Sequence, residues 1–128
     1  MQREELERYI ADVYGTEPDF PWEKYPRYAV YRHAGSRKWF ALLMDVQREK
    51  LGLPGTGSVE ILNVKCDPVL VGETSAAQGI YPAYHMNKAN WVSVALDGSA
   101  DAETIKMLLD QSYMLTAAKP RQRKPDEW

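Results

Sequence analysis

With 128 residues, 45% of them hydrophobic and only one cysteine, the chain has material for one core and none for an internal disulfide or a structural zinc site of about four Cys and His ligands. Its charged residues balance to a formal −2 with a pI of about 5.7, which argues against indiscriminate nucleic-acid binding, and its composition excludes disorder for most of the chain. There is neither an apolar leader nor a membrane-spanning run of about 20 residues, so the expected compartment is the cytoplasm.

The charge is distributed unevenly. Residues 1–23 hold two basic and seven acidic side chains, and residues 24–50 hold seven basic and two acidic. Residues 51–110 are acidic again, and residues 111–128 are basic. Positive charge therefore gathers in one early segment and in the tail.

Leu6, Tyr9, Ile10 and Val13 recur at helical spacing, and Gly15 stands where a helix ends in the left-handed conformation. The acids Glu4, Glu5, Glu7 and Asp12 suit the start and the exposed side of such a helix. Asp19-Phe20-Pro21-Trp22 follows and must be extended, laying Phe20 and Trp22 over the core edge. Tyr28 to Arg32 and Lys38 to Met44 read as two strands joined by His33-Ala34-Gly35-Ser36-Arg37. The tip of this first hairpin carries Arg32, His33, Arg37 and Lys38, a cluster suited to phosphates or simply to keeping a turn soluble.

The stretch Leu51-Gly52-Leu53-Pro54-Gly55-Thr56-Gly57 is a flexible excursion, and its glycine spacing fits neither a Walker loop nor a dinucleotide fingerprint. Ser58 to Lys65 alternates as a third strand, with Val59, Ile61 and Asn63 on one face and Glu60, Leu62 and Val64 on the other. Asp67 and Pro68 then open a short second helix with Val69 and Leu70 inward, closed by Gly79. A second hairpin runs from Ile80 through Tyr84-His85-Met86-Asn87-Lys88-Ala89-Asn90-Trp91 to Leu96, its tight turn at Asn87 to Asn90. Ile105, Leu108, Leu109, Ser112, Tyr113 and Thr116 mark a third helix, and from residue 119 a basic, proline-punctuated tail includes Arg121, Arg123 and Lys124.

Several of these stretches together resemble the MmcQ/YjbR family: Asp19 to Trp22, Asn63-Val64-Lys65-Cys66-Asp67-Pro68, Tyr84 to Lys88 with Trp91, Leu96-Asp97-Gly98, and Ser112-Tyr113. The resemblance covers nearly the whole chain. It implies an α+β fold: a single-domain α/β sandwich over residues 1–118 with three helices and an antiparallel sheet of about five strands, CyaY-like and double-winged. It also implies a DNA-binding protein; the residues themselves add the expectation of a monomer without cofactor or metal, and no catalysis.

On that reading the wings present Arg32, Arg37 and Lys38 from the first hairpin and Asn87, Lys88 and Asn90 from the second, with weak, salt-dependent attraction to DNA. The alternative is a protein-interaction or small-ligand module using an aromatic patch of Tyr84, His85 and Trp91. The one nucleophile and base worth pairing are Cys66 and His85, and residue order alone does not bring them together. A frataxin-like fold would also allow iron on the acidic first helix, but acidic surface helices are commonplace, and oxygen-ligated metals need converging ligands.

Overall fold

The computed structural model describes residues 1–117; the tail expected at 119–128, with Arg121, Arg123 and Lys124, lies outside the described residues. Eight elements build the fold: α1 (Arg3–Tyr14), β1 (Ala29–Arg32), β2 (Trp39–Gln47), β3 (Ser58–Lys65), α2 (Val71–Ser75), β4 (Ile80–Pro82), β5 (Trp91–Ala95) and α3 (Ala102–Thr116). A 3-10 turn at Arg48–Leu51 follows β2. The strands form one antiparallel sheet in the order β1-β2-β3-β5-β4, so the expected α+β architecture of three helices and five strands is the one observed.

Periodicity decides which face each strand gives to the helices. In β3, Leu62 and Val64 join Leu6 and Ile10 of α1 and Ile105 and Leu109 of α3 in a fully buried cluster, while Val59 and Ile61 point the other way. α1 ends as the glycine foretells, with Gly15 at φ 60° and its N–H on the Ala11 carbonyl. Between Tyr31 and Arg32 the β1/β2 register slips by one residue, a bulge in β2 at Phe40. Phe40 and Ala41 therefore both join the helix-side cluster, and Trp39 stays on the opposite face.

Where the β2/β3 ladder ends, Ser112 of α3 stands in for it. The Lys65 N–H donates to the Ser112 hydroxyl oxygen at 2.9 Å, and that hydroxyl donates to the Phe40 carbonyl at 2.6 Å. This fixes the C-terminal half of α3 over the sheet end.

The other face of the sheet has no helix. Val30, Leu42, Met44, Val59, Ile61 and Ala95 are covered instead by Trp22 and Tyr28, by Leu51 and Leu53, and by Tyr84 and Met86. The glycine-rich stretch is thus a folded cover rather than a free excursion: Arg48 Nε donates to the Pro54 carbonyl, and its N–H to the Gly57 carbonyl.

Three sequence expectations need correction. Val69 is 87% exposed and Leu70 is also exposed, because Asp67 accepts the Val69 N–H in a turn and α2 starts only at Val71. Phe20 points outward, and of that motif's two aromatic rings only Trp22 packs on the sheet. The second hairpin is longer than expected: the turn at Asn87–Asn90 forms, with the Asn90 N–H on the Asn87 carbonyl, but it lies within a loop of residues 83–90 between β4 and β5, with His85 at φ 60°. Pro82 ends β4, and the Tyr84 N–H donates to the Ser93 hydroxyl at 2.9 Å rather than to a ladder partner.

Candidate functional site

Strand directions bring the two expected wings to one end of the sheet. Arg32 pairs with Trp39, Ala41 with Val64, Lys65 with Trp91 and Pro82 with Val92, so the 33–38 turn and the 83–90 loop both leave the same edge. α3 ends there too, beside His33.

The cations at this end are not equivalent. Asp19 pairs its backbone with Val30 along the outside of β1, which turns its carboxylate toward the hairpin tip. Its Oδ2 accepts from Arg32 Nε at 2.8 Å and from Arg37 Nη2 at 2.9 Å. Arg32 also lies over the Trp39 ring, 5.4 Å from its centroid. Lys38 and Lys88 are exposed, and Lys65, which the sequence reading passed over, stands at the same end opposite Trp91.

His33 is no phosphate ligand. It is buried against Phe40 and Tyr113, and its Nε2 lies 2.8 Å from Thr116 Oγ1. Thr116 gives its own proton to the Ser112 carbonyl, so the imidazole must donate to it. Burial holds the His33 pKa below its ordinary value, and the Lys38 charge pushes the same way against a backbone hydrogen bond to Tyr113. Asn87 accepts the Ala89 N–H within its own loop, and the half-buried Asn90 receives the Cys66 N–H on its carbonyl.

A feature that sequence reasoning missed is a cavity of about 280 Å³ on the helix-free face. Trp22, Tyr25, Tyr28 and Trp39 wall it, Leu42 and Met44 of β2 form its floor, and His85 and Met86 close it from the loop. Trp22 stands edge-on to both Trp39 (88°) and Tyr28 (78°), while Tyr25 stacks on Tyr28 at 4.7 Å. Burial first, then the Asp45 charge and neighbouring phenols, push the Tyr28 hydroxyl above its ordinary pKa, so it stays a neutral donor. Of the patch expected from Tyr84, His85 and Trp91, only His85 lines this cavity. Tyr84 lines a second cleft with Tyr81, Lys50 and Lys88. The available signal was five aromatic residues from position 22 to position 39, more than one buried face of a short hairpin can absorb.

A buried polar chain holds the loop over the cavity. Asn63 and Ser93 face each other across β3 and β5, both fully buried; the Ser93 hydroxyl donates to Asn63 Oδ1 and accepts the Tyr84 N–H. Asn63 Nδ2 donates in turn to Met44 Sδ in the cavity floor.

Cys66 and His85 do not meet. Cys66 is buried in the helix-side cluster, 3.7 Å from Thr74 Oγ1, and His85 is on the opposite face of the sheet. Among the described residues no three His, Cys, Asp or Glu side chains converge as a metal site, and no helix is long and apolar enough to cross a membrane.

The profile of the YjbR family matches residues 11–115. A Bacillus subtilis protein named "Uncharacterized protein YyaQ" is 43% identical over 116 residues, covering 91% of this chain and 98% of its own length. A crystal structure of a Pseudomonas syringae protein superposes with a TM-score of 0.90 at 46% identity, covering 91% of this chain and all of that one. A Deinococcus radiodurans protein with a DUF419 domain reaches a TM-score of 0.68 at 30% identity, covering 90% of this chain and 78% of the other.

Proposed function

The chain belongs to the YjbR family, and on that premise we propose that it is a monomeric, cytoplasmic nucleic-acid-binding protein that takes unpaired bases rather than intact duplex. The observation that carries this is the aromatic cavity on the helix-free face, bordered at Trp39 by the end of the sheet from which both cationic loops emerge. Aromatic faces accept any base by stacking, and nearby cations follow the phosphates. At about 280 Å³ the cavity is just below the ~300–1,000 Å³ usual for small-molecule sites, so it takes one ring system at a time.

Lys38, Lys65 and Lys88 supply the backbone contacts. Arg32, held by Asp19 over Trp39, stiffens the cavity wall rather than reaching outward. The double-wing reading of duplex DNA is the weaker version, because two of the three wing-one cations already share one carboxylate. The reading is non-catalytic, since the lone thiol and the cavity imidazole are on opposite faces of the sheet.

The test is fluorescence anisotropy with a labelled 12-nucleotide single strand and its duplex. The single strand should bind more tightly, and Trp39→Leu should cost about 1–3 kcal/mol, roughly 5- to 150-fold, the usual value of one stacked base. Duplex preference, or indifference to Trp39→Leu, overturns the proposal. A small planar ligand is the second reading, favoured by the enclosure of the cavity by His85 and Met86; a free nucleoside binding as tightly as the oligonucleotide would select it.

A further inference from the structure

On the opposite side of the molecule, α2 and α3 leave a trough that neither the core nor the proposed nucleic-acid site uses. Four of the eight large apolar side chains that are exposed among the described residues line it: Leu70, Met107, Met114 and Leu115. Two adjoining hollows of about 240 and 290 Å³ share Leu70 and Gln111 and run along α3 from Thr104 to Leu115. That stretch rises about 16 Å at 1.5 Å per residue, about three helical turns.

Among the described residues, the charged groups lining the trough are all acids: Asp67, Glu73 and Asp110. The nearest lysine on α3, Lys106, turns away, holding Glu103 at 3.6 Å and lying 5.2 Å from the Tyr9 ring centroid. We propose that this trough docks an amphipathic helix of a partner protein, its apolar face on Leu70, Met107 and Met114 and its basic flanks on Asp67, Glu73 and Asp110.

Charge and size choose among occupants. An anionic membrane would be repelled by three carboxylates with no compensating cation in the lining. A second copy related by a two-fold axis would set Asp67, Glu73 and Asp110 against the same acids, and a three-turn trough is short of the ~800 Å² per partner of a stable dimer. A helix with apolar residues at i, i+3, i+4 and i+7 and lysines beside them satisfies both terms, and exposed methionines adapt to its side chains.

The probe is a labelled 16-residue peptide with leucines at helical spacing flanked by lysines, alongside a shuffled peptide of the same composition and a version with glutamate for lysine. The full chain should bind the first by anisotropy and bind the other two at least about tenfold more weakly. Met114→Asp, at a side chain 70% exposed, should weaken binding at least about tenfold with the fold unchanged by circular dichroism. Glu73→Lys with Asp110→Lys should reverse the preference toward the acidic peptide. Equal binding of the shuffled peptide, indifference to Met114→Asp, or concentration-dependent dimers abolished by Met114→Asp would overturn the proposal. So would a marked gain in peptide affinity when Arg121, Arg123 and Lys124 are changed to Glu in the full chain, because the chain's own basic end would then be the occupant.

Discussion

Asp19→Asn is the most informative single change. It removes the carboxylate charge shared by Arg32 and Arg37 and leaves the backbone pairing of residue 19 with Val30 intact. The pair is cheap to lose, since the Asp19 side chain is 46% exposed and that of Arg37 62% exposed, and exposed ion pairs contribute about 0–1 kcal/mol. The consequence for binding is large. With Lys38, Lys65 and Lys88 as phosphate contacts, three released counterions give a slope of log affinity against log salt of about −2 for a single strand, at about −0.7 per contact. Freeing two guanidinium groups raises the contacts from three to five and steepens the slope to about −3.5. If the two proteins converge at 1 M salt, the variant is then about 25-fold tighter at 0.1 M. Anisotropy titrations of a labelled oligothymidine across a sodium chloride series measure both quantities. A variant slope indistinguishable from the parent's would refute the reasoning, because Arg32 and Arg37 would then lie outside the path of the strand.

Ser93→Ala should destabilise the protein by about 1–3 kcal/mol in urea unfolding, because it strands two groups, Asn63 Oδ1 and the Tyr84 N–H, that have no other partner in the structure. It should also make the 83–90 loop the first site of proteolytic cleavage, since the side-chain tie from the sheet to Tyr84 is gone. His33 makes stability fall on acidification. Its folded pKa is below the ordinary value, so the stability present above the unfolded pKa of about 6.5 is lost as pH falls from there toward the folded pKa, over which range the unfolded chain binds the extra proton. The urea midpoint should drop between pH 7.5 and 5.5, and His33→Gln, keeping a donor toward Thr116, should flatten that part of the drop; an unchanged profile would place the titration elsewhere.

Most of the scaffold was legible because it depends on short-range chemistry. Alternation in residues 58–65 fixed both the strand and its two faces, and Gly15 marked the end of α1. What failed was local chemistry overruled by distant partners. The 83–90 segment carries the marks of a tight hairpin turn, and the turn does form at Asn87–Asn90, yet Ser93 and Asn63, buried on neighbouring strands, take the Tyr84 N–H from the ladder, so the turn sits inside a longer loop folded onto the sheet. Likewise Asp19 is thirteen residues from Arg32 and eighteen from Arg37, and no periodicity joins them.

The same asymmetry explains where the site formed. Helices α1 and α3 cover one face of the sheet with regular, complementary stripes, and their inward residues are fully buried there. The other face is covered by three irregular segments arriving from different parts of the chain, and irregular covers meet imperfectly. The remaining gap is lined by what those covers are made of, chiefly aromatic rings, because a few large flat side chains are the most efficient way for loops to exclude water from a sheet. On this argument the cavity should respond to its covers rather than to the core: Trp22→Ala should widen it and alter ligand binding while costing less stability than Leu62→Ala, whose side chain is fully buried under both long helices. If Trp22→Ala proved the more destabilising of the two in urea unfolding, the covers would be structural first, and the aromatic wall would no longer stand as a binding surface.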